Sequence, residues 1–233
     1  MAVSESGRVV VVSGGTGALG RAVVSRFLAA GDRVLVPWIV KRELEALESG
    51  EAEALRAGRI VPVEADVAEE SGARRVAEAA APIEVLVNGV GGYAGGKPVH
   101  ETELELWDRM YRMNVRTAVA LTRAVLPGML ARGRGSIVNI SSRAALDRPA
   151  GLGAYAAAKG AVLALSEIAQ KEVGDRRVRV NTIVPTTIDT PANRAAMPGA
   201  DFSLWTMPAL IAEVVFWLSS EAGATVRGAL IPV

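Results

Sequence analysis

The sequence predicts an α/β fold: one doubly wound domain over residues 1–233, built on a seven-stranded parallel sheet with helices on both faces. Three observations carry this. Runs of aliphatic and β-branched residues recur along the chain and are continuous rather than alternating, as strands covered on both faces require. Helix-length segments separate them, which implies crossovers and parallel pairing. The first run passes straight into a glycine cluster, "VVVVSGGTGALG" at residues 9–20.

Strands are expected at 8–13, 33–38, 59–64, 83–88, 135–141, 178–183 and 229–233, in the sheet order 3-2-1-4-5-6-7. Between them, 20–30 places Val23, Val24, Phe27 and Leu28 on one side of a helix. Longer helices are expected at 104–131 and 154–173. The segment 185–208 is the longest without clear periodicity, and a loop of that size in a compact domain is more often functional than idle. No linker, low-complexity tract or internal repeat interrupts the pattern.

Composition narrows the function. Half of the 233 residues are hydrophobic, which argues against disorder. The net charge of +1 gives no reason to expect nucleic acid or an anionic membrane as partner. The absence of cysteine removes thiol nucleophiles and thiolate metal sites, and fits a reducing compartment. His100 is the single histidine and sits in the polar stretch "HETELE", so a multi-histidine metal site is excluded. No stretch approaches the ~20 apolar residues of a membrane helix. The chain reads as soluble and cytoplasmic.

Gly15, Gly17 and Gly20 satisfy the spacing G-x-G-x-x-G between a strand and a helix, the context of a dinucleotide pyrophosphate on a helix N-terminus. Gly20 would serve close helix packing or close phosphate approach. Arg21 and Ala22 stand where a mononucleotide P-loop needs Lys and Ser or Thr. At the end of the second strand, where an acid would bind the ribose 2′-hydroxyl, the sequence has Trp38. Trp38 either packs on adenine or covers the sheet edge. Lys41 and Arg42 either meet a 2′-phosphate, which leans the cofactor from NAD(H) toward NADP(H), or begin a surface helix with Glu43 and Glu45.

"YAAAK" puts Tyr155 and Lys159 on one face of a helix, one turn apart. An ammonium beside a phenol favours the phenolate and should lower the tyrosine pKa from about 10. That makes a proton donor and acceptor usable near neutral pH. Ser142 lies thirteen residues upstream at the carboxyl end of an expected strand, and Asn114 is a polar residue inside an apolar helical run.

With these residues in place the chain resembles the short-chain dehydrogenase/reductase family, whose domain is of the Rossmann type. "SGGTGALG" is similar to its T-G-x-x-x-G-x-G turn, with Ser13 for threonine and Ala18 for the middle glycine. The resemblance implies that Gly14, Gly15, Thr16, Gly17, Ala18, Leu19 and Gly20 cradle the cofactor. "EADV" implies adenine contacts at Asp66 and Val67, and "VNGVGG", similar to N-N-A-G, points to Asn88 and Gly89. Asn114, Ser142, Tyr155 and Lys159 match the catalytic tetrad in order and spacing. "VPTTIDT" resembles P-G-x-x-x-T, so Pro185 borders the site and Ile188 and Thr190 would hold the nicotinamide carboxamide, with Thr186 in place of glycine.

The implied activity is reversible hydride transfer between NADP(H) or NAD(H) and a carbonyl/alcohol pair. Tyr155 would donate the proton and Ser142 polarise the carbonyl. Lys159 would bind ribose hydroxyls, and Asn114 would hold a relay water. Met197, Phe202 and Trp205 would give the 185–208 lid apolar surface, and its few charges, Asp189, Arg194 and Asp201, point to a small neutral, partly apolar substrate. The resemblance also implies a homodimer or homotetramer. Segments around "AALDRPAGLGAYAAAKGAV" are similar to quinonoid dihydropteridine reductases, which keep the tyrosine and lysine but lack the serine. That activity and a non-catalytic dinucleotide sensor are the competing readings.

Overall fold

The computed structural model describes residues 7–233; residues 1–6 of the expected domain lie outside the described residues. Seven strands form one parallel sheet: β1 (Val9–Ser13), β2 (Arg33–Trp38), β3 (Ile60–Glu64), β4 (Ile83–Asn88), β5 (Arg134–Ile140), β6 (Arg177–Val184) and β7 (Leu230–Pro232). Their order is β3-β2-β1-β4-β5-β6-β7, as expected. Representative pairings are Val11 with Leu35, Val87 with Val138, and Ile137 with Val180.

Among the described residues ten α-helices accompany the strands: α1 (Ala18–Ala29), α2 (Lys41–Gly50), α3 (Ala52–Arg56), α4 (Glu70–Ala79), α5 (Leu104–Tyr111), α6 (Thr117–Arg132), α7 (Ala144–Asp147), α8 (Gly153–Val173), α9 (Pro191–Ala196) and α10 (Pro208–Ser219). The strand side chains alternate between two cores. Val10, Val12, Val34 and Val36 pack with Val23 and Phe27 of α1 and with Ile211, Val215 and Leu218 of α10. Val11, Leu35, Leu86 and Ile137 pack on the other face with Val76 of α4, Leu121 and Val125 of α6, and Val173 of α8. Both faces are covered, which is why the strand sequences show no polar alternation.

Two expectations are corrected. The helix expected over 104–131 is not continuous: a π-helical turn, Arg112–Arg116, separates α5 from α6 and carries Asn114. The 185–208 segment is not structureless. Thr190 caps α9, its side chain accepting from the Asn193 N–H, with Pro191 in the first helical turn. A lone parallel bridge between Ile188 and Thr206 closes the base of the segment.

Candidate active site

The sheet order reverses between β1 and β4, and open α/β sheets bind ligands in the crevice beyond such a point. Ser13 and Asn88 end these strands side by side. The Gly89 N–H donates to both the carbonyl and the hydroxyl of Ser13 at 3.1 Å. Gly14 has φ +72°, and a Cβ there would lie 2.8 Å from the Gly89 backbone, so glycine is required twice over. At Gly20 a Cβ would fall 1.9 Å from the Gly14 carbonyl oxygen. Of the two reasons expected for Gly20, close helix packing is the one this contact supplies. Helix α1 opens with neither a capping side chain nor an acid in its first turn. Its first N–H groups are therefore available to an anion.

At the end of β2, Trp38 is half-buried against the apolar cluster under α1. Lys41 and Arg42 are exposed in the first turn of α2, the surface-helix alternative. Asp66 Oδ1 accepts from the Ala68 N–H at 2.9 Å, and its Oδ2 accepts from Arg112 at 2.7 Å. Arg112 also donates to Glu69, and Arg116 donates to the Ala68 carbonyl, both at 2.6 Å. The loop that carries Asp66 and buried Val67 is thus strapped to the π turn. A surface cleft of about 300 Å³ opens beside it, lined in part by Ile39, Asp66 and Gly72.

Asn88 ties its amide nitrogen into the sheet, while its Oδ1 is buried with no hydrogen-bond partner among the described residues. Its Nδ2 donates to Asn139 Oδ1 at 2.8 Å and to Thr122 Oγ1 at 3.3 Å, and Asn139 donates to Ser166 at 2.7 Å. The side chain expected at the cofactor instead links β4 to β5 and the covering helices. Its neighbour Gly89 borders the crevice through backbone.

The four tetrad residues come from three different elements. Lys159 on α8 is 6% exposed and donates to the Ile140 carbonyl at 3.0 Å. Burial lowers its pKa from 10.5 to about 8, so it stays charged at neutral pH with donors to spare. One turn earlier, Tyr155 has its pKa raised, chiefly by burial; a hydrogen bond from Ser142 opposes this, and nearby Tyr93 adds to it. The expected depression by Lys159 is not what sets this phenol, because desolvation outweighs the stabilising groups around it. Ser142, just past β5, has its Oγ accepting from the Ala144 N–H at 3.2 Å, which orients the hydroxyl.

Asn114 is buried in the π turn. Its Nδ2 donates to the carbonyls of Gly92 at 3.1 Å and Met110 at 3.0 Å, while its Oδ1 accepts from the Gly92 N–H at 3.2 Å. A Cβ at Gly91 would lie 2.7 Å from Asn114 Oδ1 and 3.0 Å from Lys159 Nζ. The glycine loop after β4 therefore runs directly over the tetrad.

Across the crevice, the Pro185 carbonyl accepts from the Arg143 N–H at 2.8 Å. Thr186, standing where the family pattern has glycine, donates its N–H to the Val233 carbonyl at 2.9 Å. Arg194 grips Asp189 with two bonds, at 2.6 and 2.7 Å, and lies 4.7 Å from the Phe202 ring. Phe202 in turn packs on Trp205, centroid to centroid 4.7 Å. Asp189 and Arg194 thus pair with each other, while Asp201 accepts from the Ser203 N–H and hydroxyl.

Comparison with known proteins decides the assignment. A family model described as short chain dehydrogenase matches residues 8–200. The chain belongs to the short-chain dehydrogenase family. Membership makes it an NAD(P)-dependent oxidoreductase of hydroxyl and carbonyl groups. It is 33% identical to 2-(R)-hydroxypropyl-CoM dehydrogenase of Xanthobacter autotrophicus, over 96% of each chain. A blue fluorescent protein from a metagenomic library, solved in complex with NADPH, superposes with TM-score 0.85 at 28% identity, covering 98% of this chain and 96% of that one. A 3-oxoacyl-[acyl-carrier protein] reductase from Brucella melitensis, solved with bound NAD, gives TM-score 0.87 at 26% identity, covering 99% and 90%.

Several residues at this short-chain dehydrogenase site escaped the sequence. Tyr93 meets the Tyr155 ring edge-on, centroids 5.1 Å apart at 71°. Asn193 bonds both groups expected at the carboxamide: its Nδ2 donates to the Ile188 carbonyl at 2.8 Å and its N–H to Thr190 Oγ1 at 3.1 Å. The pair Thr190-Pro191 is itself a helix-start signal that locates Asn193.

Proposed function

We propose that the protein interconverts a small, neutral, partly apolar ketone or aldehyde and its alcohol, on one cofactor-binding domain. The observation that carries this is the joint placement of Tyr155 and buried Lys159 one turn apart on α8, with Ser142, which favours the ionised phenol, just past the end of β5. A dinucleotide fits what the chain presents. The uncapped start of α1 suits a pyrophosphate, the Gly91 approach leaves no room for a side chain, and Lys159 retains N–H donors for hydroxyls. The nicotinamide, when bound, supplies or accepts the hydride.

The residues act on the other half of the reaction. Ser142 donates to the carbonyl oxygen as negative charge builds there. Tyr155 delivers its proton to the forming alkoxide, and takes it back in the oxidation direction. The Lys159 charge favours the phenolate left behind. Asn114 holds the Gly91–Gly92 backbone above the lysine, a position from which a water could relay the proton. Ile188 and Thr190 would meet the carboxamide; the Thr190 hydroxyl accepts its cap bond and keeps its hydrogen to donate.

A neutral substrate is favoured because the lid arginine is neutralised by Asp189. The NADP(H) lean expected from Lys41 and Arg42 rests on two exposed side chains. No described helix is long and apolar enough to cross a membrane, and the cysteine-free composition supports a cytoplasmic setting. Exposed Leu104, Tyr111 and Ile168 on α5 and α8 favour a homodimer or homotetramer.

The test compares wild type with Ser142→Ala on a panel of ketones and aldehydes and, in parallel, on quinonoid dihydropterin. Carbonyl turnover should fall roughly 10²–10³-fold in the variant. Strong pterin turnover by both proteins, with no carbonyl reduced by either, would replace this reading with the dihydropteridine reductase one. Cofactor binding without any turnover would favour the sensor.

A further inference from the structure

No carboxylate stands at the end of β2, where Trp38 packs inward and Ile39 is 66% exposed. A carboxylate reaches the glycine turn from a different element. Glu43, in the first turn of α2, places Oε2 3.0 Å from Thr16 Oγ1. Thr16 is buried within the glycine turn, between Gly14 and Gly20. The Glu43–Thr16 bond therefore fixes a negative charge on the glycine turn, carried there by the helix that begins just after β2. Lys41 and Arg42, two and one positions before Glu43, are exposed and make no ion pair among the described residues.

Taking the dinucleotide site proposed above as given, we infer that Glu43 selects the cofactor by its adenosine ribose, favouring a free 2′-hydroxyl over a 2′-phosphate. A carboxylate with one oxygen held by Thr16 keeps acceptor capacity for a ribose hydroxyl. The same fixed charge repels a phosphate, and at partly solvated separations of a few ångströms this discriminates roughly tenfold to a hundredfold. The anchored anion outweighs two untethered cations, so the preference runs toward NAD(H), opposite to the lean drawn from Lys41 and Arg42.

A simpler role for Glu43 is stabilising the start of α2, since an acid in a first turn complements the helix dipole. That role needs no partner outside the helix, and a glutamate at the third helical position commonly folds back on its own cap. Glu43 instead reaches 27 positions back to the glycine turn.

The experiment measures dissociation constants of NADH and NADPH by fluorescence titration of the full-length protein, for wild type, Glu43→Gln and Glu43→Ala. Wild type should bind NADH at least tenfold more tightly. Glu43→Gln keeps an acceptor for Thr16 but loses the charge; its NADPH affinity should rise about tenfold while NADH changes less than threefold. Tighter binding of NADPH by wild type would overturn the inference, and so would a Gln variant that shifts both cofactors equally, the mark of a mere helix tether. Wild type that binds neither would overturn the dinucleotide site itself.

Discussion

Asn114 and Gly92 hold each other by a reciprocal pair of hydrogen bonds, amide to peptide at 3.1 Å and peptide to amide at 3.2 Å. A side chain thus imitates a strand neighbour for the loop that roofs the tetrad. Asn114→Ala should leave the Gly92 N–H and carbonyl without their side-chain partner, at about 1–3 kcal/mol of stability. Turnover should fall at least tenfold. Urea unfolding and kcat on the same preparation check both. Asn114→Asp should recover the Gly92 N–H bond but not the two carbonyl bonds, and so land between them.

Tyr155→Phe should keep cofactor affinity within about threefold while lowering kcat by ~10²–10⁴, since the ring still packs and only the proton donor is lost. Retention of more than about a tenth of wild-type kcat, a barrier change under ~1.4 kcal/mol, would contradict its role.

Lys159 makes stability depend on pH in an unusual direction. Its folded pKa of about 8 lies below the reference 10.5, so the unfolded chain binds the extra proton between these values. The cost of burying the charge is fully present below about pH 8 and is relieved as pH rises toward 10.5. Lys159→Met should therefore melt higher than wild type at pH 7, the gap narrowing toward pH 10, while turnover collapses. Calorimetric melting across that range measures it; a variant less stable than wild type at neutral pH would refute the burial cost.

Gly20 and Gly17 should respond differently to alanine. A Cβ at Gly20 strikes the Gly14 carbonyl at 1.9 Å, whereas at Gly17 it meets the same oxygen at an ordinary 3.4 Å. Gly20→Ala should lose about 1–3 kcal/mol through forced displacement of α1, together with NADH affinity. Gly17→Ala should stay near wild type in stability. Equal effects on melting temperature would argue against the packing account.

The strands were legible because burial on both faces leaves the same mark in every one, and most boundaries agree within one residue. Tyr155, Lys159 and Ser142 were legible because helix spacing and strand ends place them. The π turn at Asn114 was not, since a change in hydrogen-bond phase has no residue type of its own. The Tyr155 environment escaped for another reason: one-turn spacing reports proximity to Lys159, while desolvation depends on Tyr93 and everything else packed around the ring. Glu43 was visible only as part of a charged helix face, because its partner lies far back in the chain.

A π turn lodges one more residue in its loop of backbone than an ordinary turn does, and each residue in a helix swings the next by about 100°. The stretch from Leu104 to Asn114 therefore works as a counted length. Removing one residue and letting the chain rewind as regular helix would keep α5 and α6 in register but dissolve the turn that presents Asn114 to the roof loop. Grafts and deletions between these positions must conserve the count before they conserve the chemistry.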